Sequence, residues 1–158
     1  MPVKKRPISK PPPQRHVLVL HGPNLNLLGM RQPEHYGRDT LADIDARLQT
    51  RAAAAGVRLT AFQSNSEERL LERVQQAPRE HVDFIIINPA GLTHTSVSLR
   101  DALSAVQLPF VEVHISNVFA REPFRQRSYF SDIAVGIVSG LGAMGYELAL
   151  EYALQPRR

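Results

Sequence analysis

Apolar and polar positions alternate in blocks from residue 16 to residue 154, and the blocks change period as they go. Segments 16–20, 57–62, 82–87, 110–114 and 133–138 are short and rich in Val, Ile, Leu and Phe, which predicts five strands. Phe84-Ile85-Ile86-Ile87 is apolar at every position and runs straight into Asn88-Pro89. A strand with no polar face is buried on both sides, as in a parallel sheet. The segments between the strands carry helix signals. Thr40 can cap a helix, with Asp43 at its third position and Gly56 as a stop after the alanine run. Ser66, followed by Glu67 and Glu68, starts another helix that leaves at Pro78. Thr95 or Ser96 caps a third helix reaching about residue 106, and 140–154 shows Leu, Tyr and Ala at helical spacing. Strand and helix in turn predict an α/β fold, a doubly wound three-layer sandwich around a five-stranded parallel sheet. No internal repeat is visible.

Composition narrows the class. A chain of 158 residues is one domain of ordinary size, and 43% hydrophobic with 22% charged residues is globular. No apolar run approaches the roughly 20 residues that span a bilayer, so no membrane role is expected. The absence of cysteine excludes disulfides, thiolate metal sites and cysteine nucleophiles together, and a reducing cytoplasm is the expected compartment. The net charge of +4 suggests nucleic acid until its position is considered. Residues 1–15 hold Lys4, Lys5, Arg6, Lys10 and Arg15 and no acid, so the remainder is slightly acidic. No polyanion footprint, and hence no nucleic-acid partner, is expected of the body. This Pro-rich basic stretch lacks an apolar centre, which predicts a disordered leader over 1–15 and a single catalytic domain over 16–158.

Three predicted strands end in polar clusters: His21-Gly22-Pro23-Asn24-Leu25-Asn26, Asn88 to His94, and Glu112-Val113-His114-Ile115-Ser116-Asn117. Open α/β sheets bind ligands beyond the carboxyl ends of their strands, so these clusters should converge on one crevice. His21 reads as a structural residue under its loop. Asn24 and Asn26 suit turns as well as ligands. Asn88 precedes proline, so its side chain either caps the turn or faces a ligand. His94 either caps the next helix or faces the crevice, and the neighbouring Thr and Ser are better caps. Glu112 and His114 alternate on one strand and share a face. A carboxylate there orients the imidazole and raises its basicity.

Three histidines at one mouth raise the possibility of zinc, but no H-x-x-x-H helix pair exists and no metal is expected. The string Gly140-Leu141-Gly142-Ala143-Met144-Gly145 follows the last strand rather than the first, which favours close helix–strand packing over a dinucleotide site. The stretch from Gly29 to Gly37 is long for a strand–helix connection and suits a lid. It carries Arg31 and Tyr36. A guanidinium close to a phenol lowers its pKa by roughly 1–3 units, enough to make a tyrosinate base usable. Arg121, Arg125 and Arg127 follow the fourth strand and can clamp a carboxylate or form a solvated face. Every lysine, Lys4, Lys5 and Lys10, lies in the leader, so the body has none for Schiff-base chemistry.

The segments HGPNLNLLGMRQPEHYG (21–37), QSNSE (63–67), NPAGLTHTSVSLRDAL (88–103), VEVHISN (111–117) and AREPFRQRSY (120–129) closely resemble type II 3-dehydroquinate dehydratase. Ala90 stands where many members carry Gly. The resemblance implies a flavodoxin-like fold and cofactor-free, metal-free dehydration of 3-dehydroquinate to 3-dehydroshikimate through an enolate. It implies Tyr36 as the base, Arg31 as the cation that stabilises its anion, and Asn24 as the holder of a water at the enolate oxygen. It implies His114 as the acid, oriented by Glu112 and helped by Asn88. Asn88, His94, Ile115, Ser116 and Arg125 would hold the substrate, Arg121 would support the lid region, and Asp101 would reach a neighbouring subunit's site. Trimers assembled into a homododecamer are implied as well. A flavin- or nucleotide-binding module on the same sheet is the alternative, since fold alone permits it.

Overall fold

In the computed structural model, which describes residues 13–30, 34 and 37–156, five parallel strands form one sheet in the order β2-β1-β3-β4-β5. The strands are β1 (His16–His21), β2 (Arg58–Gln63), β3 (Phe84–Asn88), β4 (Phe110–His114) and β5 (Gly136–Ser139). The helices are α1 (Leu41–Ala54), α2 (Glu67–Gln76), α3 (Val97–Val106) and α4 (Met144–Leu154). This is the flavodoxin-like order. Its crossovers reverse direction between β1 and β3, where a crevice opens at the strand ends.

The sheet separates two apolar layers, and strand alternation sorts residues between them. Val17, Val19, Phe84, Ile86, Val111 and Val113 face α1 and α4, meeting Leu48, Tyr146 and Leu150. Leu18, Leu20, Ile85, Ile87 and Phe110 face α2 and α3, meeting Leu70, Val74, Leu99 and Leu103. Each fully buried Leu, Ile or Val contributes about 1.5–3 kcal/mol over leaving it in water.

The predicted caps form. Thr40 Oγ1 accepts from Asp43 N–H at 3.1 Å, and Asp43 Oδ2 accepts from Thr40 N–H at 3.0 Å. Ser66 and Ser96 accept from the N–H groups of Arg69 and Leu99. The fifth strand starts at residue 136 rather than 133, because Ile133 and Ala134 donate to the Phe130 carbonyl and close a turn first. The last helix starts at residue 144 rather than 140. Gly140 (φ +89) and Gly142 (φ +61) keep the chain in a loop, and a Cβ on Gly140 would lie 2.9 Å from that of Asn117. Gly145 does what close packing requires, since its missing Cβ would sit 3.3 Å from Val138 Cγ1.

Arg15 and Gln14, which the sequence assigns to the leader, are attached to the body. The Arg15 guanidinium donates to the carbonyls of Ala153 and Leu154 at the end of α4, and Gln14 Nε2 donates to the Gly56 carbonyl at 3.2 Å. A cation at the negative end of a helix is favourable. The folded body therefore begins at least two residues earlier than position 16. Residues 1–12 of the expected leader lie outside the described residues.

Candidate active site

The turns after β1, β3 and β4 meet at the switch point and enclose an open cleft of about 790 Å³, including solvent at its mouth. Asn24, His94, His114, Ile115, Ser116, Arg121 and Arg125 all line it. Apolar atoms of Pro23, Leu25, Leu27, Leu28 and Val118 fill the gaps between these polar groups. The three polar strand ends therefore do converge.

The first and third turns approach closely because Gly22 has no side chain. Gly22 N–H donates to the Asn88 carbonyl at 2.8 Å, and a Cβ on Gly22 would lie 2.3 Å from the Pro89 carbonyl oxygen. Gly22→Ala is expected to destabilise the fold by about 1–3 kcal/mol, as overpacking does. A lower midpoint in urea unfolding checks this, and an unchanged midpoint would contradict it.

His114 stands at the end of β4 with Glu112 behind it. Its Nε2 lies 2.6 Å from Glu112 Oε1, which leaves Nδ1 for the cleft. Glu112 is fully buried, and its carboxylate also accepts from Ser128 Oγ at 2.7 Å and Ser131 Oγ at 2.6 Å. Burial alone would push this carboxyl up. The hydrogen bonds from His114, Ser131 and Ser128 outweigh it and hold Glu112 below the usual glutamate range. The carboxylate is thus ionised and acceptor-only, and the imidazole that donates to it is locked in orientation.

His94 Nδ1–H donates to the Arg127 carbonyl at 2.7 Å, so Nε2 is the nitrogen free to meet a ligand. The Arg125 guanidinium lies 4.8 Å from the Phe124 ring centroid, and its Nε donates to Glu122 at 2.9 Å. Arg121 Nη1 donates to Ser116 Oγ at 3.3 Å, and its Nε is 3.9 Å from Glu122. Two guanidinium groups suit a carboxylate, and the imidazoles suit neutral hydroxyls.

Asn24 has a left-handed backbone (φ 69), and its N–H donates to Asn65 Oδ1 at 2.9 Å. Gln63 reinforces the arrangement, its Nε2 donating to Asn65 Oδ1 at 3.1 Å and to the Gly22 carbonyl at 3.2 Å. The end of β2 thereby steadies the first cleft turn. Asn26 is exposed and outside the cleft.

Not every expected residue reaches the cleft. Asn88 is buried beneath it, and its Oδ1 accepts from Ala90 N–H at 3.1 Å, the turn-capping alternative. Ala90 holds φ +53, a region that favours glycine, which explains why glycine suits that position. Asp101 is exposed on α3 and does not line this chain's cleft. His21 is wholly buried, as a structural histidine should be. Arg31 and Tyr36 lie outside the described residues. Among the described residues, no three His, Asp or Glu side chains gather as a metal site, and no helix is long and apolar enough to cross a membrane.

Sequence reasoning missed Ser128, Ser131, Gln63 and Asn65 as supports. Ser128 and Ser131 reach Glu112 across 16 and 19 residues of sequence, and no periodicity marks them. Only the spacing of three, which lets both hydroxyls turn to one side of a tight turn, is a visible signal.

The family model described as Dehydroquinase class II matches residues 15–154. A 3-dehydroquinate dehydratase of Laribacter hongkongensis is 65% identical over 146 residues, covering 92% of this chain and 94% of that protein. One from Methylococcus capsulatus is 66% identical over 139 residues, covering 88% and 94%. The crystal structure of type II dehydroquinase from Propionibacterium acnes superposes with a TM-score of 0.85 at 41% identity, covering 89% of this chain and 97% of that one. Matched in sequence from the first strand to the last helix, and in fold to a solved type II enzyme, this chain belongs to the class II dehydroquinase family.

Proposed function

We propose that this chain converts 3-dehydroquinate to 3-dehydroshikimate with loss of water, a carbon–oxygen lyase step of the shikimate pathway to chorismate and the aromatic amino acids. The observation that carries the reading is His114, anchored by a buried, ionised Glu112 at the mouth of a class II dehydroquinase cleft. The family match does not favour the flavin- or nucleotide-binding alternative.

The chemistry divides into two proton transfers. Tyr36, ionised beside Arg31, removes the proton α to the ketone, and the electron pair passes to the carbonyl oxygen as an enolate. Asn24 holds a water against that oxygen, where a dipole counts most. The enolate then collapses, the carbon–oxygen bond breaks, and His114 gives its proton to the departing hydroxyl, which leaves as water. Hydroxide is a poor leaving group, so this protonation is required. Arg121, Arg125 and the N–H groups of Ile115 and Ser116 receive the substrate carboxylate, and His94 receives a hydroxyl. The sequence offers no lysine in the body for a covalent adduct, which fits an enolate route without cofactor or metal.

Assembly into a dodecamer of four trimers belongs to the same reading, with Asp101 completing a neighbour's site. It is supported by apolar side chains exposed along β5 and α4: Ile137 at 50%, Met144 at 60%, Leu148 at 44% and Tyr152 at 55%. Such a patch marks an interaction surface. A cytoplasmic location fits the cysteine-free sequence. The test of function is direct. Purified protein mixed with 3-dehydroquinate should raise the ultraviolet absorbance of the conjugated enone product, and a flat trace would sink the reading.

A further inference from the structure

The turn at 128–132 is fastened on several sides and delivers two hydroxyls to one carboxylate. Tyr129 N–H donates to the Thr93 carbonyl at 2.9 Å, next to His94. Arg100 of α3 donates to the Tyr129 carbonyl at 2.7 Å and grips Asp132 with both terminal nitrogens. Phe130, fully buried, packs into the apolar layer under α2 and α3. Ser128 Oγ accepts from Phe130 N–H at 3.0 Å and from Ser131 N–H at 3.3 Å, so its own proton turns to Glu112 Oε1, 2.7 Å away. Ser131 Oγ donates to Glu112 Oε2 at 2.6 Å, and His114 Nε2 lies 2.6 Å from Oε1.

The charge on the pair changes during the reaction. A protonated His114 beside an ionised Glu112 sums to zero. Once His114 has given its proton away, the pair carries a net charge of −1, and both residues are buried. This sum holds wherever the shared proton sits between the two side chains. A charge in that position is expensive unless donors are aimed at it, so the serine hydroxyls favour the state that follows proton transfer. The charged groups on the surrounding elements engage one another instead: Glu67 of α2 with Ser96, Arg100 of α3 with Asp132, and Arg121 and Arg125 with Glu122. His94 is held by the Arg127 carbonyl.

We infer that Ser131 and Ser128 are positioning residues that strengthen His114 as an acid, by stabilising the negative Glu112–His114 pair left when the imidazole has protonated the departing hydroxyl. The inference rests on the cleft being the 3-dehydroquinate site and on His114 being its acid. The proton passes to the departing oxygen, which keeps the carbon–oxygen electron pair and leaves as water. The deficit stays on the histidine–glutamate pair until a proton returns from solvent. Neither serine lines the cleft, so both act through Glu112 rather than on the substrate.

The test is Ser131→Ala, which removes one donor and spares the Ser128 hydroxyl that caps the turn, with circular dichroism to verify folding. kcat for 3-dehydroquinate should fall about tenfold with KM within about twofold of the unaltered enzyme, the size expected when a charged group loses one hydrogen bond. The basic, descending limb of kcat should move to higher pH, because the protonated pair has become harder to deprotonate. Ser131→Thr restores the hydroxyl and should return kcat to within about threefold. In a His114→Ala background, Ser131→Ala should cause no further loss. An unchanged kcat and basic limb in the folded variant, or an equal loss without His114, would overturn the inference. Should Ser131→Ala not fold, Ser131→Cys keeps the shape with a weaker donor, and an unchanged kcat there would also overturn it. The His114 imidazole, followed by NMR without substrate, should titrate at higher pH in the folded variant, and an unmoved midpoint counts against the inference whatever the substrate. Lack of turnover by the unaltered enzyme would instead refute the substrate assignment, so the two failures are distinct.

Discussion

Replacing His114 by alanine should lower kcat by about 10³-fold while KM changes by no more than a few fold. The size follows from the chemistry of the leaving group. Expelling hydroxide from carbon without a proton donor is slow, and a positioned general acid contributes roughly 10²–10⁴-fold. Among the described residues that line the cleft, His94 is the only other imidazole, and its Nδ1–H is committed to the Arg127 carbonyl. The variant should still fold. Glu112 would keep the hydroxyls of Ser128 and Ser131, so its buried carboxylate would not be stripped of donors. Its lowered pKa also bears on acid stability. Stabilisation from Glu112 is present above the usual glutamate range and is lost as pH falls through the lower folded value, so it does not limit the enzyme near neutrality. Steady-state kinetics with the ultraviolet assay measure the effect. A folded variant with near-normal kcat would remove His114 from the mechanism.

How far the sequence reached depended on whether a feature was local. Residues 110–114 were readable as a strand, and β4 spans Phe110–His114, because the short apolar run after Pro109 is too brief for a helix. Glu112 and His114 were readable as a pair because two residues along a strand bring side chains to one face. Thr40 with Asp43 was readable because a capping box spans only one turn. Long-range features were not. The start of β5 depends on Phe130, a fully buried ring whose carbonyl collects two N–H donors and delays pairing until Gly136. The position of Asn88 depends on the turn that follows it. Pro89 takes a helical backbone and Ala90 a left-handed one, and together they fold the turn back over the carboxamide. Polar character at a strand end was therefore a sound guide to where the cleft lies and a weaker guide to which side chain enters it. The hydroxyls of Ser128 and Ser131 lie 16 and 19 residues from the carboxylate they serve, and each looks like an ordinary loop residue.

Changing Tyr36 to phenylalanine should reduce kcat by roughly 10³–10⁴-fold, again with a small change in KM. Phenylalanine keeps the ring and deletes only the oxygen that would take the proton. At neutral pH an unassisted phenol with a pKa near 10 is about 0.1% ionised. The proposal therefore requires Arg31 beside it, and Arg31→Ala should shift the acidic, ascending limb of kcat/KM to higher pH as tyrosinate becomes harder to form. This sign is diagnostic. A cation that favours the anion lowers the phenol pKa, so removing it raises the pH at which activity appears. A cation that merely bound the substrate carboxylate would raise KM and leave the limb where it was. The surrounding site sharpens the demand on Tyr36. The body has no lysine, and Glu112 is committed to His114, Ser128 and Ser131 behind the cleft wall, leaving no carboxylate among the cleft-lining described residues to serve as base. A Tyr36→Phe enzyme that still exchanged the α-proton of the substrate with solvent deuterium at the unaltered rate, followed by proton NMR, would show that another group does the abstraction.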